Sequence, residues 1–278
     1  MAIELVTKFL PIVDELFYQE SKKGLLTNQN FTWDGAQTVK VYSVTTADMN
    51  DYGRSGPEGS NWSRYGPVQS LDATTQPMTL RMDRSFTFAI DKLDSNETLA
   101  QLAAASALGR QVREVVIPEV DKYTYAQMID GAGATPAAVA LTPANIYDEI
   151  LKANTALDNA DAPEVSRTLL VTPDVYAIMK RSPDIVMETN IGNDMRLRGV
   201  VAMIDGANVI KVSPGRLPDN FGFMLSHSVA TVAPTKLEDF TIHQNPPGIN
   251  GALVEGRIVY DAFVLNNKKT AIYYQEQA

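Results

Sequence analysis

Hydrophobic positions follow a helical spacing in parts of this chain and a strand-like alternation in others, mostly towards its end. Near the N-terminus, helical spacing predicts a short amphipathic helix with the apolar residues Phe9, Ile12, Val13, Leu16 and Phe17. Residues 31–33 and 39–44 predict strands on the two sides of a turn at 34–35. Alternation at 71–82 and 85–90 predicts a long two-stranded excursion, which needs a partner surface to be stable.

The strongest helix signal covers residues 95–129. Asp94 or Ser95 can cap its first turn, and Glu97 lies in capping-box position. Pro118 is the only helix breaker in this stretch, so a kink or a split is expected there. A helix of this length would reach about 50 Å at ~1.5 Å per residue and would form a structural spine.

The pattern after Gly131 alternates between helix and strand, and we interpret residues 136–233 as one compact α/β domain. The predicted elements are a helix from 142 to 157, a strand at 167–171, a helix opening at 172–173, a hairpin around 205–206 and a strand at 221–232. Strands at 237–243, 253–265 and 270–274 follow. The first two predict a long antiparallel pair joined by a projecting turn.

A Gly-, Pro- and Ser-rich stretch at residues 48–67 contains an unusual number of aromatic and arginine side chains. These are Tyr52, Arg54, Trp62, Arg64 and Tyr65. Flexible linkers rarely contain such residues, whereas Tyr, Trp and Arg are enriched at the centres of protein interfaces. We therefore predict that this stretch contacts another protein surface. The alternative is a surface loop whose aromatic side chains fold back locally.

Composition excludes several classes of protein. The net charge of -9 argues against a nucleic-acid-binding surface, although an acidic wall can still enclose nucleic acid without adsorbing it. The absence of cysteine excludes disulfides and thiolate metal sites. The first residues lack the basic region of a signal peptide, and no uncharged apolar run approaches the ~18 residues of a membrane span.

Candidate catalytic chemistry is sparse. His227 and His243 are the only histidines, and no serine lies in a Gly-x-Ser-x-Gly elbow. The stretch 158–161 lacks the glycine and the closing glutamate of a calcium loop, and 131–133 follows a helix instead of a strand. We therefore expect no cofactor, no metal and no enzymatic activity. A carboxylate-dependent hydrolase is the alternative from another functional class.

At this point the order of the parts resembles a known family. Two stretches, 116–123 (Val-Ile-Pro-Glu-Val-Asp-Lys-Tyr) and 256–264 (Gly-Arg-Ile-Val-Tyr-Asp-Ala-Phe-Val), are similar to stretches of tailed-bacteriophage major capsid proteins of the Hong Kong 97 type. The resemblance implies an α+β fold with an N-arm (1–47), an extended loop (48–91), a spine-helix peripheral domain (92–135), an axial domain (136–233) and a C-terminal return (234–278). The last strand could rejoin the axial domain.

The same resemblance implies a structural function. Copies would form the hexamers and pentamers of an icosahedral head that encloses double-stranded DNA without sequence-specific binding. Assembly would take place in the host cytoplasm, with portal, scaffolding and decoration proteins as partners and the virion as the final location. The extended loop would lie over a neighbouring subunit, and the turn of Asn245, Pro246, Pro247 and Gly248 would project towards junctions between capsomers.

The chain departs from the family pattern in two ways, which concern cross-linking and scaffolding. The prototype cross-links covalently through a lysine on the extended loop, but no lysine lies between Lys40 and Lys92, so no isopeptide bond is expected there. The chain also lacks an N-terminal scaffolding region, so a separate scaffold guides assembly or an earlier segment was removed. An encapsulin-like nanocompartment shell, which shares the fold and encloses a different cargo, is the nearest alternative function.

Overall fold

The fold was analysed in a computed structural model of the 278-residue chain, which describes residues 21–28, 38–44, 47–56, 63–68, 70, 73–93, 104–185 and 200–278. The chain forms two compact units. The smaller is Ala36–Thr79, and the larger comprises Met1–Gly35 with Leu80–Ala278. The predicted helix at 9–17 and the predicted strand at 31–33 lie outside the described residues.

The smaller unit contains a two-stranded antiparallel ribbon. Strand β1 (Thr38–Val44) pairs with β2 (Ala73–Thr79), and the register runs from Thr38 opposite Thr79 to Val44 opposite Ala73. The expected pairing of 71–82 with 85–90 is therefore wrong, since β3 (Met82–Asp91) pairs elsewhere. Alternation shows which face of a strand is apolar but does not identify the strand that pairs with it.

In the larger unit, β3 belongs to an antiparallel sheet with β9 (Thr235–Gln244) and β10 (Gly251–Tyr260), and we call this the peripheral sheet. Strand β10 is central and pairs with both neighbours. Gly256 lies opposite Phe86 on one side and Phe240 on the other, and the two phenyl rings stack with centroids 6.0 Å apart. The antiparallel pair predicted from the C-terminal pattern is confirmed, with a third strand added.

A long helix, the spine helix (104–130), packs on this sheet. It consists of α1 (Ala104–Gln111), a π-helical turn (Val112–Val116) and α2 (Ile117–Asp130). In the π turn the N–H of Ile117 donates to the carbonyl of Val112, which shifts the hydrogen-bond ladder just before Pro118 removes one donor. The helix is therefore not split at Pro118, and a π turn lies directly before this residue.

The core of the contact between the spine helix and the peripheral sheet is apolar. The buried side chains are Val116, Val120, Ile258 and Tyr260, with Met82, Phe86 and Tyr123 packed against them. Residues 94–103, for which the helix signal was also strong, lie outside the described part of the chain.

The axial sheet has five strands in the order β12-β7-β4-β6-β5. Their bounds are β4 (Arg167–Val171), β5 (Val200–Ile204), β6 (Ala207–Lys211), β7 (Phe221–His227) and β12 (Ile272–Glu276). Only β4 and β6 are parallel. The last strand, β12, pairs with β7 and so joins the sheet formed by residues 167–227.

Two helices and a short ladder complete the axial region. Helix α3 is Ile146–Asn159, α4 is Pro173–Arg181, and the strands β8 (Thr231–Val232) and β11 (Phe263–Val264) pair with each other. Fully buried leucine, valine and methionine side chains on β4, α3 and α4 belong to one core cluster, which accounts for the position of both helices on the sheet.

Several local predictions in this region are confirmed. Thr172 caps α4 by accepting the N–H of Val175 at 3.3 Å, and Asp205 and Gly206 both have positive φ in the β5–β6 turn. Helix α3, however, starts at Ile146 and not at 142, because the Asn145 side chain accepts the N–H of Thr142 and forms a turn before the helix.

Two predicted strands are divided in the structure. The strand expected at 221–232 consists of β7 and β8, with a 3₁₀ turn (Ser228–Ala230) between them. The strand expected at 253–265 consists of β10 and β11, because Asp261 and Ala262 leave the ladder between them. In both places the chain passes from one sheet to another, which the alternation of side chains does not reveal.

The described part of the N-arm, residues 21–28, packs on its own chain. Leu26 is fully buried in a core cluster with residues of α2, β4 and β7. The N–H of Asn28 donates to the carbonyl of Thr231 at 2.7 Å, and Lys22 Nζ donates to the carbonyl of Lys211 at 2.8 Å. Residues 21–28 of the arm are therefore fixed to the axial region of the same subunit.

Candidate interaction surfaces

The connection between β1 and β2, residues 45–72, exposes much of the apolar surface seen in this structure, and we call it the ribbon loop. Eight large apolar side chains are exposed among the described residues, and four of them lie here: Met49, Tyr52, Tyr65 and Val68. Concentrated exposed apolar surface of this kind marks a site of protein–protein contact.

Backbone geometry holds the two sides of the ribbon loop together. The N–H of Gly53 donates to the carbonyl of Arg64 at 2.9 Å, and the N–H of Gly56 donates to the carbonyl of Gly53 at 3.3 Å. A Cβ on Gly53 would collide with the carbonyl oxygen of Gly56, so this close approach requires glycine. The glycines of this stretch thus support a folded turn.

The structure brings two of the predicted anchor residues into contact. The rings of Tyr52 and Tyr65 meet edge to face with centroids 5.0 Å apart, and Tyr65 remains 77% exposed. Arg54 and Arg64 are exposed beside them. Trp62 lies outside the described residues. The described anchors therefore present aromatic rings and guanidinium groups on a supported turn, which is a suitable surface for docking on another protein.

The predicted projecting turn joins β9 to β10. The N–H of Asn245 donates to the carbonyl of Gly251 at 2.7 Å, and the N–H of Ile249 donates to the carbonyl of Pro246 at 3.1 Å. Asn245 and Gly248 have φ values of 49° and 86°, which are conformations that asparagine and glycine tolerate. Asn245, Pro247 and Gly248 are exposed, while Pro246 is half-buried. The turn is held by backbone hydrogen bonds and is accessible.

Several solved structures share this architecture over nearly the whole chain. A structure from Mycobacterium phage Che8 matches 99% of this chain and 96% of its own, with a TM-score of 0.71 and 17% identity. The capsid structure of the cyanophage P-SCSP1u matches 100% of this chain and 92% of its own, with a TM-score of 0.69 and 13% identity. This chain has the Hong Kong 97-type capsid fold. The predicted α+β fold is confirmed.

A virus-like particle also shares much of this architecture. The crystal structure of a virus-like particle from Pyrococcus furiosus matches 87% of this chain and 86% of its own, with a TM-score of 0.52 and 11% identity. No protein-family model and no curated protein matches the sequence. At these identities the similarity concerns the fold.

A buried carboxylate connects the spine helix of this capsid fold to the end of the peripheral sheet. Asp261 accepts the hydroxyl of Tyr123 at 2.8 Å, the N–H of Arg81 at 2.9 Å and the N–H of Ala262 at 2.8 Å. The Arg81 guanidinium lies 3.3 Å from the same carboxylate. Burial, followed by the hydrogen bond to Asp261, raises the pKa of Tyr123 to about 12. The residues form one polar joint, which we call the Asp261 joint.

A second buried carboxylate joins the spine helix to the N-arm and to the axial region. Asp121 forms an ion pair with Arg216 at 2.7 Å and accepts the hydroxyl of Ser21 at 2.5 Å. Burial raises the pKa of the Asp121 carboxyl, while the hydrogen bond from Ser21 and the charge of Arg216 act in the opposite direction. The pair, which we call the Asp121 joint, is almost completely buried, so either charge alone would be costly.

The two histidines occupy structural positions on strands. His227 Nδ1 accepts the N–H of Val229 at 3.1 Å, and burial lowers the pKa of this imidazole. His243 Nε2 lies 3.3 Å from the Glu255 carboxylate on an exposed face. Over the described ranges, no three His, Asp or Glu side chains come together as a metal site, and no helix is long and apolar enough to cross a bilayer.

Sequence reasoning identified the ribbon loop and the projecting turn but missed both polar joints. Tyr123 and Asp261 fall within the two stretches that carry the family resemblance, which was the only signal available for them. Asp121 also lies in one of these stretches, whereas nothing singled out Arg216 or Ser21. Partners so far apart in the chain meet only after folding.

Proposed function

We propose that this chain is the major capsid subunit of a tailed bacteriophage and that its copies form the hexamers and pentamers of an icosahedral head. The observation that carries the proposal is the match of 99–100% of the chain to phage structures, one of them a capsid structure. A subunit of this kind is a structural protein and has no catalytic role.

The ribbon loop supports the proposal because its exposed surface suits contact with a neighbouring subunit. Tyr52, Arg54, Trp62, Arg64 and Tyr65 would anchor it there, since aromatic and arginine side chains dominate the energetics of interfaces. A closed shell needs many modest contacts per subunit, because strong early contacts would trap misassembled forms. A small loop with a few anchors meets that need.

The projecting turn would provide a second contact, at the junctions between capsomers. Its described residues are held by backbone hydrogen bonds, and three of the four predicted contact residues are exposed. Little conformational entropy would be lost when such a preorganised turn docks. We assign Asn245, Pro246, Pro247 and Gly248 to this contact.

The acidic composition supports the enclosure of double-stranded DNA without sequence-specific binding. A net charge of -9 disfavours adsorption of phosphate groups on the protein, so the packed DNA would not adhere to the inner surface of the shell. The chain would assemble in the host cytoplasm with a portal protein and with any scaffolding and decoration proteins, and it would end in the virion.

Electron microscopy of the purified full-length chain tests the proposal. We expect closed shells that contain both six-fold and five-fold capsomers. A chain that stays monomeric at high concentration, with and without a co-expressed scaffold, would contradict it. The Tyr52→Ala, Tyr65→Ala double variant should reduce shell yield. The control is Val165→Ala, which truncates a side chain that is 78% exposed and lies outside the ribbon loop, and it should leave the yield unchanged.

A nanocompartment shell is the second candidate function. It is supported by the match to the virus-like particle from Pyrococcus furiosus, although that TM-score of 0.52 is lower than those of the phage structures above. The contents of particles isolated from the native source distinguish the two functions. Double-stranded DNA of genome length inside the shell supports the phage head, while an enzyme cargo supports the nanocompartment.

A further inference from the structure

Three lysine side chains gather at one end of the axial sheet. The ammonium groups of Lys180 and Lys211 lie 5.4 and 4.8 Å from the centroid of the same ring, that of Tyr176. Lys22 of the N-arm donates from Nζ to the carbonyl of Lys211 at 2.8 Å. Helix α4, strand β6 and the N-arm thus bring three positive charges together, and we call these three lysines the lysine patch.

The lysine patch contains positive charge without a matching carboxylate. In the described part of the chain, none of its three ammonium groups forms a salt bridge. Burial lowers the pKa of Lys22, and the positive charges of Lys211 and Arg216 lower it further. Lys180 is exposed, while Lys22 and Lys211 are half-buried. Because like charges repel, such a patch is suited to bind a negatively charged group from outside.

Carboxylates lie on two other strands of the same sheet. Asp219 belongs to the turn before β7, where the N–H of Gln277 donates to the carbonyl of Asn220 at 2.8 Å. Glu276 is the last residue of β12, and both carboxylate side chains are exposed. Asp219 lines a groove of about 370 Å³, and no lysine, arginine or histidine is among its described lining residues. We call Asp219 and Glu276 the acidic edge.

The register of the axial sheet places the two groups at the same end but on different sides. A row of paired residues crosses four strands from Lys211 through Val171 and Phe223 to Gln275, next to Glu276. At about 4.8 Å between neighbouring strands, the two ends of this row are about 14 Å apart, with β4 between them. Among the described residues, no ion pair joins the two groups within one copy.

We propose that the lysine patch of one copy docks on the acidic edge of a second copy and forms the head-to-tail contact between neighbours in a capsomer. This inference rests on the proposed function and assigns the contact that closes each ring. Contact between two different surfaces generates a ring when the rotation between copies closes, so one pair of surfaces suits six-fold and five-fold rings. Opposite charges also steer the copies together, and encounters between like patches are repelled.

Charge reversal in the full-length chain tests the contact. One double variant is Lys180→Glu with Lys211→Glu, and the other is Asp219→Lys with Glu276→Lys. Each should slow shell formation at least about tenfold, because each places like charges on the two sides of the contact. Light scattering and electron microscopy, under the conditions in which the native chain forms shells, measure this effect.

Restoring the complementarity should restore assembly. All four substitutions in one chain exchange the charges of the two groups, so this combined variant should form shells again. A mixture of the two double variants should recover six-fold capsomers but not five-fold ones. The reason is that copies with two acidic groups and copies with two basic groups can alternate around an even ring but not around an odd one.

The control is Lys122→Glu with Lys236→Glu, which reverses two exposed lysines outside both groups and should assemble like the native chain. Native assembly in both test variants would overturn the inference, and so would a folded combined variant that does not recover. If the combined variant does not fold, the mixture decides. A defect confined to the lysine variant would also overturn the inference and would assign the patch to another acidic partner, such as nucleic-acid phosphates. A native chain that forms no shells would instead contradict the proposed function.

Discussion

The hydroxyl of Tyr123 lies 2.8 Å from Oδ1 of Asp261 and donates a hydrogen bond to it, although the two residues are 138 positions apart in the chain. Asp261 also binds Arg81 at the start of the peripheral sheet. One buried carboxylate thus connects the spine helix to both strands of the β3–β10 pair, at the end where Met82 lies opposite Tyr260. This polar contact adds to the apolar packing between the helix and the sheet.

The Tyr123→Phe variant should lower the free energy of unfolding of the unassembled subunit by about 1.5–3 kcal/mol, because it removes a hydrogen bond to a charged acceptor and leaves the ring in place. Denaturant unfolding measures this change. Tyr65→Phe is the control, since its hydroxyl is on an exposed side chain and its loss should have little effect. Equal stability of the Tyr123→Phe variant and the native chain would show that the bond contributes nothing.

The same bond predicts a loss of stability at alkaline pH. The pKa of Tyr123 is raised from 10.0 to about 12 by burial and by Asp261, so the folded state favours the protonated phenol. The contribution of this group is therefore complete below pH 10 and is lost as the pH rises towards 12. Unfolding measured across this range should show a smaller pH-dependent loss in Tyr123→Phe than in the native chain.

Removing the arginine of the Asp121 joint should be strongly destabilising. The Arg216→Met variant leaves the buried Asp121 carboxylate unpaired, which costs about 3–5 kcal/mol. Because the pKa of Asp121 is already raised by burial, protonation should relieve part of this cost, and the deficit should shrink as the pH falls. The Asp121→Leu, Arg216→Met double variant should recover most of the stability. Failure of the double variant to recover would mean that the pair is not the source of the loss.

Gly256 should not tolerate a side chain. A Cβ at this position would collide with the ring of Phe86 and lie 2.8 Å from that of Phe240. Gly256→Ala should therefore lower the unfolding free energy by about 1–3 kcal/mol, as overpacking does in other cores. Gly215→Ala is a matched control, because nothing lies within 4 Å of the added carbon. Adding Phe86→Leu to Gly256→Ala should restore part of the lost stability if the collision is its cause.

The ribbon loop should contribute to assembled particles more than to the free subunit. Trp62→Ala should weaken its subunit contact by roughly 2 kcal/mol, as the loss of an interface anchor does. Particle yield and the melting temperature of assembled shells measure this effect, with Val165→Ala as the exposed-surface control. Unchanged yield and thermal stability would remove Trp62 from the interface.

Covalent cross-linking through the ribbon loop should not occur. No lysine lies between Lys40 and Lys92, so no ammonium group in that stretch can form an isopeptide bond. Mature particles boiled with detergent and reductant should contain no cross-linked species that map to this stretch. Ladders that map by mass spectrometry to residues 41–91 would contradict this prediction.

Local features of this protein followed from its sequence. The bounds of β4, the threonine cap of α4 and the Asp205–Gly206 turn were predicted because each depends on neighbouring residues. Pro118 was expected to kink or split the helix, but the helix continues through it after a π turn. The order of such elements was also enough to suggest the capsid fold.

Tertiary structure alone decided which distant segments meet. It paired β2 with β1 instead of β3, and it brought Tyr123 to Asp261 and Asp121 to both Ser21 and Arg216. Alternation and helical periodicity specify the face of an element that is buried but not its partner. The partner is selected by the packing of the whole core and by the cost of leaving a buried charge unpaired, and both depend on residues that are distant in the chain.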